Sequence, residues 1–96
     1  MTGGEAVVET LIANDVEIIT GLIGSSTLEI LDGLYDNADN VRYIGCIQES
    51  AGMHLSDGYA RYTGKPGLFL AGQAGPGVTN TVTAMAQAKA AFSPVI

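Results

Sequence analysis

Residues 42–47, Arg42-Tyr43-Ile44-Gly45-Cys46-Ile47, form a short apolar run that ends at Gln48-Glu49. From there to Arg61 the spacing of apolar and small residues becomes helical. A run of this length rich in Ile and Tyr reads as a buried strand, with Cys46 inside it. Glu49 then stands at the carboxyl end of a strand and in the first turn of a helix, the edge where open α/β sheets bind ligands. The partial positive charge of the helix end favours its carboxylate, and the apolar residues around it resist that charge. Two readings stay open on this segment alone: an acid that complements the helix dipole, or a functional carboxylate.

The rest of the chain repeats the alternation. Thr2-Gly3-Gly4-Glu5 has capping-box spacing, and Ala6, Val7, Leu11 and Ile12 supply an apolar helical face ending near Asn14-Asp15. Residues 16–22 read as a first strand, and Gly24-Ser25-Ser26 as a turn capping a helix with Leu28, Leu31, Leu34 and Tyr35 along one side. A polar loop over 37–40 precedes the run at 42–47. The helix after Glu49 carries Ala51, Gly52, Ser56, Gly58 and Ala60, small enough for close packing, and Asp57 and Arg61 at ion-pair spacing. A turn over 63–67 leads to a third strand at 68–71. A glycine-rich loop over 72–77 follows, and Thr79 opens an alanine-rich helix through Phe92. Ser93-Pro94-Val95-Ile96 reads as a fourth strand just beginning. The expected fold class is α/β, a three-layer α/β/α arrangement around a parallel sheet. It is incomplete here: residues 1–96 read as one domain interrupted at its fourth strand, the front part of a larger protein.

Ten acids against four bases (Arg42, Arg61, Lys65, Lys89) give a net charge of −6, and the bases are scattered, which speaks against nucleic acid or an anionic membrane as partner. Cys46 is the single cysteine, so a disulfide framework is excluded and a cytoplasmic location is expected. No apolar run has the length of a membrane span, and the start lacks a signal-peptide pattern. A hydrophobic fraction of 47% in 96 residues leaves apolar surface for a partner domain or subunit.

Three loops share the carboxyl edge of the expected sheet: 21–26, 48–49 and 72–80. The glycines Gly72, Gly75 and Gly77 do not spell a dinucleotide fingerprint, and no base follows as in a phosphate-binding loop. Gly75-Pro76-Gly77 taken alone is a tight turn into a helix. Gln73 and Asn80 either donate to a ligand or cap the helix. His54, the lone histidine, has no second ligand at metal spacing and reads as a packed or solvated helix residue, so no metal site is expected within the chain.

Taken together, Gly21-Leu22-Ile23-Gly24-Ser25, the stretch from Glu49 through Asp57-Gly58-Tyr59-Ala60-Arg61-Tyr62-Thr63-Gly64-Lys65, and Gly75-Pro76-Gly77-Val78-Thr79-Asn80 resemble the N-terminal pyrimidine-binding domain of thiamine-diphosphate enzymes of the acetolactate synthase type. Gly24-Ser25 and Gln73-Ala74-Gly75-Pro76-Gly77 lean toward its sulfoacetaldehyde acetyltransferase branch. The resemblance implies a carboligase or decarboxylase acting on a 2-oxo acid such as pyruvate. Glu49 matches the glutamate that hydrogen-bonds N1′ of the cofactor aminopyrimidine, so that the 4′ nitrogen can take the proton from thiazolium C2. Gly24, Ser25, Gly75, Pro76, Gly77 and Asn80 match the cofactor side, and Gln48 and Gln73 the substrate side. It also implies diphosphate and Mg2+ held by a domain not in this chain, and a homodimer or homotetramer with the site at the subunit interface. The fragment alone is then catalytically incompetent. The family's FAD site lies outside this region, so an FAD requirement is left open. Two departures stand out: Gln48 where many members carry His, and Ile23 where proline is common. The alternative is a non-catalytic truncated or split domain acting only in assembly.

Overall fold

The first helix begins where its capping spacing predicts. In the computed structural model, which describes residues 1–73 and 75–96, the Glu5 N–H donates to Thr2 Oγ1 at 3.2 Å and the Thr2 N–H to Glu5 Oε2 at 2.6 Å. Helix α1 (Gly3–Ala13) leads to strand β1 (Ile18–Gly21), and a 3-10 turn (Ser25–Thr27) leads into α2 (Leu28–Asp36). Strand β2 (Arg42–Gly45), helix α3 (Glu49–Thr63), strand β3 (Leu68–Leu70), the short helix α4 (Pro76–Thr79) and helix α5 (Val82–Ala90) follow. Ala74, part of the glycine-rich loop, lies outside the described residues.

The strands form a parallel sheet in the order β2-β1-β3, with Ile18 opposite Arg42 and Ile19 opposite Leu68. The final residues extend it: Gly67 bridges Val95 in parallel, and the Phe69 N–H donates to Ile96 O at 3.0 Å. Successive strand residues face opposite sides, and β1 shows both. Ile19 packs with Val8 of α1, Leu34 of α2 and Val41, all nearly inaccessible to water. Each such side chain contributes about 1.5–3 kcal/mol through burial. Thr20 faces the other way, into α3. Helices thus cover both faces, and the three-layer α/β expectation holds.

Several local expectations are corrected. The run at 42–47 is not a buried strand: β2 is the sheet edge, half-exposed, and central burial belongs to β1. The strand stops at Gly45, Cys46 is half-buried just beyond it, and Ile47 is fully exposed. The single helix expected over 79–92 is two helices, because Pro76 already starts a turn at its first position and the chain tightens at Thr81, whose N–H bonds Val78 O. On α2, Leu34 reaches the core while Leu28 and Tyr35 stay in water, and on α1 the inward residues are Gly4 and Val8 rather than Val7. None of the described helices is long and apolar enough to cross a membrane.

The close packing expected of α3 is present. A Cβ on Gly52 would stand 2.4 Å from the Phe69 ring, and one on Gly67 would stand 2.1 Å from Ser56 O. Helix α3 ends at Gly64, whose φ of 72° suits glycine as a left-handed cap. Asp57 and Arg61 form a two-pronged pair, at 2.9 and 2.8 Å, with the Asp57 side chain only 7% exposed. The Arg61 hydrogen bond, seconded by Ser93, holds the Asp57 carboxyl below its ordinary range against the opposing effect of burial. A lowered folded-state value stabilises above the unfolded value of about 3.9, and that stabilisation is lost as pH falls through the folded one. Urea midpoints taken from pH 6 downward therefore decline below about pH 4, and Asp57→Asn takes away part of that decline.

Tyr43 reaches from β2 across to Gly21, and its buried hydroxyl finds no hydrogen-bond partner among the described residues. Burial, and next the neighbouring Cys46 thiol, push the phenol above its ordinary range. Tyr43→Phe removes the unsatisfied oxygen and should leave stability equal or higher by about 1 kcal/mol, read as an urea midpoint.

Candidate functional site

All three loops named from the sequence leave the carboxyl ends of the strands: 22–24 after β1, 46–48 after β2, and, after β3, 71–73 with 75. What joins the first to the third is bare backbone. A Cβ placed on Gly24 would stand 1.4 Å from Gly72 O, and one on Gly72 would stand 2.0 Å from Leu22 O. The first and third loops therefore cross in contact that no other residue type allows. Two side chains secure the crossing, Ser26 Oγ donating to Gly72 O at 3.1 Å and Ser25 Oγ to Gln73 Oε1 at 3.4 Å. Ser26, read from the sequence only as part of a helix-capping turn, and Gly72, read only as the start of the glycine-rich loop, were not among the expected site residues.

The second and third loops meet through Glu49 and Asn80. Asn80 Nδ2, just past α4, donates to Glu49 Oε2 at 3.1 Å. Glu49 is half-buried in the first turn of α3, and among the described residues Oε1 accepts no hydrogen bond. Asn80 thus neither caps a helix with its side chain nor stands free: it fixes the carboxylate. Gln48 is the N-cap of α3, its Oε1 accepting from the Ala51 N–H at 3.0 Å and from the Ser50 hydroxyl. Gly77 is buried against Gln73, while Gly75 and Pro76 are exposed where α4 begins. His54 is exposed on α3, and no hydrogen bond joins it to the three loops among the described residues.

Glu49 is held along the strand axis by a buried polar cluster behind it. Thr20 Oγ1 lies 2.8 Å from Gly52 O and 2.7 Å from Ser56 Oγ, and Ser56 Oγ donates to Leu68 O at 2.7 Å. These contacts tie α3 to β1 and β3 one and two turns below its first residue.

The donor set defines what fits. A carboxylate with one oxygen engaged and one open, beside loops stripped of side chains, suits a flat heteroaromatic ring that offers an N–H. It does not suit a diphosphate with its metal. Arg42 opens β2, Arg61 and Lys89 lie in the last turns of α3 and α5, and Lys65 precedes β3, so all four bases sit at the opposite, amino edge. Among the described residues no group of three or more His, Cys, Asp or Glu could hold a metal ion.

The whole chain, residues 1–96, matches the family model of the thiamine pyrophosphate enzyme N-terminal TPP-binding domain. The chain belongs to that family. It is similar to the sulfoacetaldehyde acetyltransferases of Castellaniella defragrans and Alcaligenes xylosoxydans xylosoxydans, 41% and 42% identical over 96 residues. It is equally similar to the probable acetolactate synthase large subunit of Methanocaldococcus jannaschii, 42% identical over 96 residues. Each match covers 100% of this chain but only 16%, 15% and 16% of the respective relative. The fold is the partial α/β thiamine-diphosphate-binding fold that the motifs implied.

Proposed function

We propose that residues 1–96 are the N-terminal part of the pyrimidine-binding domain of a thiamine-diphosphate-dependent carboligase or decarboxylase acting on a 2-oxo acid such as pyruvate. When bound, thiamine diphosphate supplies the electron sink that lets such an acid lose carbon dioxide and pass its remaining carbon unit to an acceptor. Glu49 holds a proton at N1′ of the aminopyrimidine through Oε1, while Asn80 fixes the carboxylate from the other side. Gly24, Ser25, Gly75, Pro76 and Gly77 line the ring, and Gln48 and Gln73 face the substrate. The observation that carries this reading is the Asn80–Glu49 hydrogen bond of 3.1 Å, which joins two motif residues 31 positions apart and leaves one carboxylate oxygen open.

The diphosphate and Mg2+ belong, in this reading, to a part of the protein outside these residues, since the carboxyl edge here carries no base. The working enzyme is a cytoplasmic homodimer or homotetramer with the site at the subunit interface. In support, the loops around the site leave Ile23 (69%), Ile47 (100%) and Val78 (47%) in water. The same exposure favours a second reading, a non-catalytic assembly module. Release of carbon dioxide from pyruvate or sulfoacetaldehyde turnover by the full-length protein decides between them. The enzyme reading expects turnover that vanishes when thiamine diphosphate and Mg2+ are dialysed away and returns when they are restored. No turnover with both at saturation would overturn it.

A further inference from the structure

Internal hydrogen bonds decide which end of each amide at the carboxyl edge is left for a ligand. Gln48 accepts from the Ala51 N–H at 3.0 Å and from the Ser50 hydroxyl. Only the oxygen of an amide can accept from a backbone N–H, so this amide has one orientation. Its Oε1 is filled, and both Nε2 protons lack an acceptor among the described residues, one position before Glu49. Gln73 follows the same pattern, with Ser25 Oγ on its Oε1 at 3.4 Å. Asn80 does the reverse and directs its Nδ2 to Glu49. The edge therefore offers neutral N–H donors on the second and third loops, the loops that Glu49 and Asn80 join, with every base of the chain at the far edge.

We propose that Gln48, assisted by Gln73, forms a donor-only subsite for an anionic oxygen of the small substrate, a carboxylate or a sulfonate. The proposal rests on the reading in which Glu49 faces the cofactor. Hydrogen bonds to an ionised acceptor are the stronger kind, so neutral N–H groups suffice to orient such an oxygen. A cation in the same place would instead pair with Glu49 and take the acceptor that the ring requires. Neutral donors orient the anion and leave Glu49 alone.

The discriminating variant is Gln48→Glu in the full-length protein. The new carboxylate still accepts from the Ala51 N–H and suits the helix end, so α3 keeps its cap, but the outward donors become a repelling charge. With pyruvate and sulfoacetaldehyde as separate probes, KM for the turned-over substrate should rise by about ten-fold or more, with kcat altered by less than about three-fold. The affinity for thiamine diphosphate and the thermal midpoint should not move. Gln73→Leu should raise KM by a smaller factor, and the probe with the lower KM identifies the oxyanion as carboxylate or sulfonate. A KM within about two-fold of the unmodified protein for Gln48→Glu overturns the proposal and leaves Gln48 a cap only. If turnover still depends on Glu49 in that case, this subsite alone is wrong. If neither probe is turned over with cofactor present, the parent reading and the subsite fall together.

Discussion

Glu49→Gln in the full-length protein should lower kcat by about 10²–10⁴-fold, the range that a positioned proton-transfer group contributes. The substitution keeps the shape of the side chain and an oxygen for the Asn80 amide, whose bond to Oε2 spans 3.1 Å. What it removes is the group able to hold a proton at a ring nitrogen. The fold should not notice: α3 starts from the Gln48 cap, which is intact, and the half-buried Glu49 belongs to neither the Ile19 cluster nor the buried residues of α3. The check is therefore a pair of measurements, steady-state turnover and the urea midpoint of the same preparation. A loss of turnover with an unmoved midpoint assigns the effect to chemistry. Turnover retained within about three-fold would remove Glu49 from the proton path while leaving the enzyme reading in place.

The second large effect is expected at Gly24. Its missing side chain is where Gly72 O sits, 1.4 Å from the position a Cβ would take, and the obstacle is backbone rather than a side chain that could swing aside. Gly24→Ala must push the first loop off the third, breaking the Ser26–Gly72 and Ser25–Gln73 hydrogen bonds on the way. Overpacking of this kind destabilises by about 1–3 kcal/mol, and the loops that line the ring would separate as well. Gly58→Ala is the matched control, since nothing lies within 4 Å of a Cβ there and the residue is exposed within α3. Alanine in an open helical position should stabilise by about 0.5–1 kcal/mol relative to glycine. A urea series on both variants checks the opposite signs. Equal midpoints would mean that the loop crossing yields more easily than its geometry implies.

The alternation of elements and the position of Glu49 could be read from the residues because both rest on local signals: capping spacing at Thr2 and Glu5, β-branched runs, and a strand passing directly into a helix. Burial could not be read the same way. The run at 42–47 is as apolar as the one at 18–21, yet β2 is the edge and β1 the centre, since strand order is fixed by crossovers and not by hydropathy. The split between α4 and α5 was missed because Pro76 looked like part of a turn, when it is the opening position of a helix. At the site, the structure brings several of the motif residues together, but the partners they meet could not be read from the sequence. That Asn80 would meet Glu49, or Gly24 meet Gly72, depends on how three loops far apart in sequence come to lie side by side, and no spacing encodes that. Gln48 is the reverse case, a residue whose chemistry was visible but whose oxygen turned out to be in use by Ala51.

The buried cluster of Thr20, Gly52, Ser56 and Leu68 has a consequence for heating. Its oxygens interlock at 2.7–2.8 Å, so α3 cannot shift by even one residue without stranding a hydroxyl in an apolar layer. Glu49 rides on that helix and stays in register until the domain itself melts. Among the described residues, the first and third loops have two side-chain hydrogen bonds to hold their crossing. On warming, the two sides of the ring pocket should let go in sequence, the loops first and the carboxylate last, so that the capacity to retain a ligand is lost at a lower temperature than the helical signal.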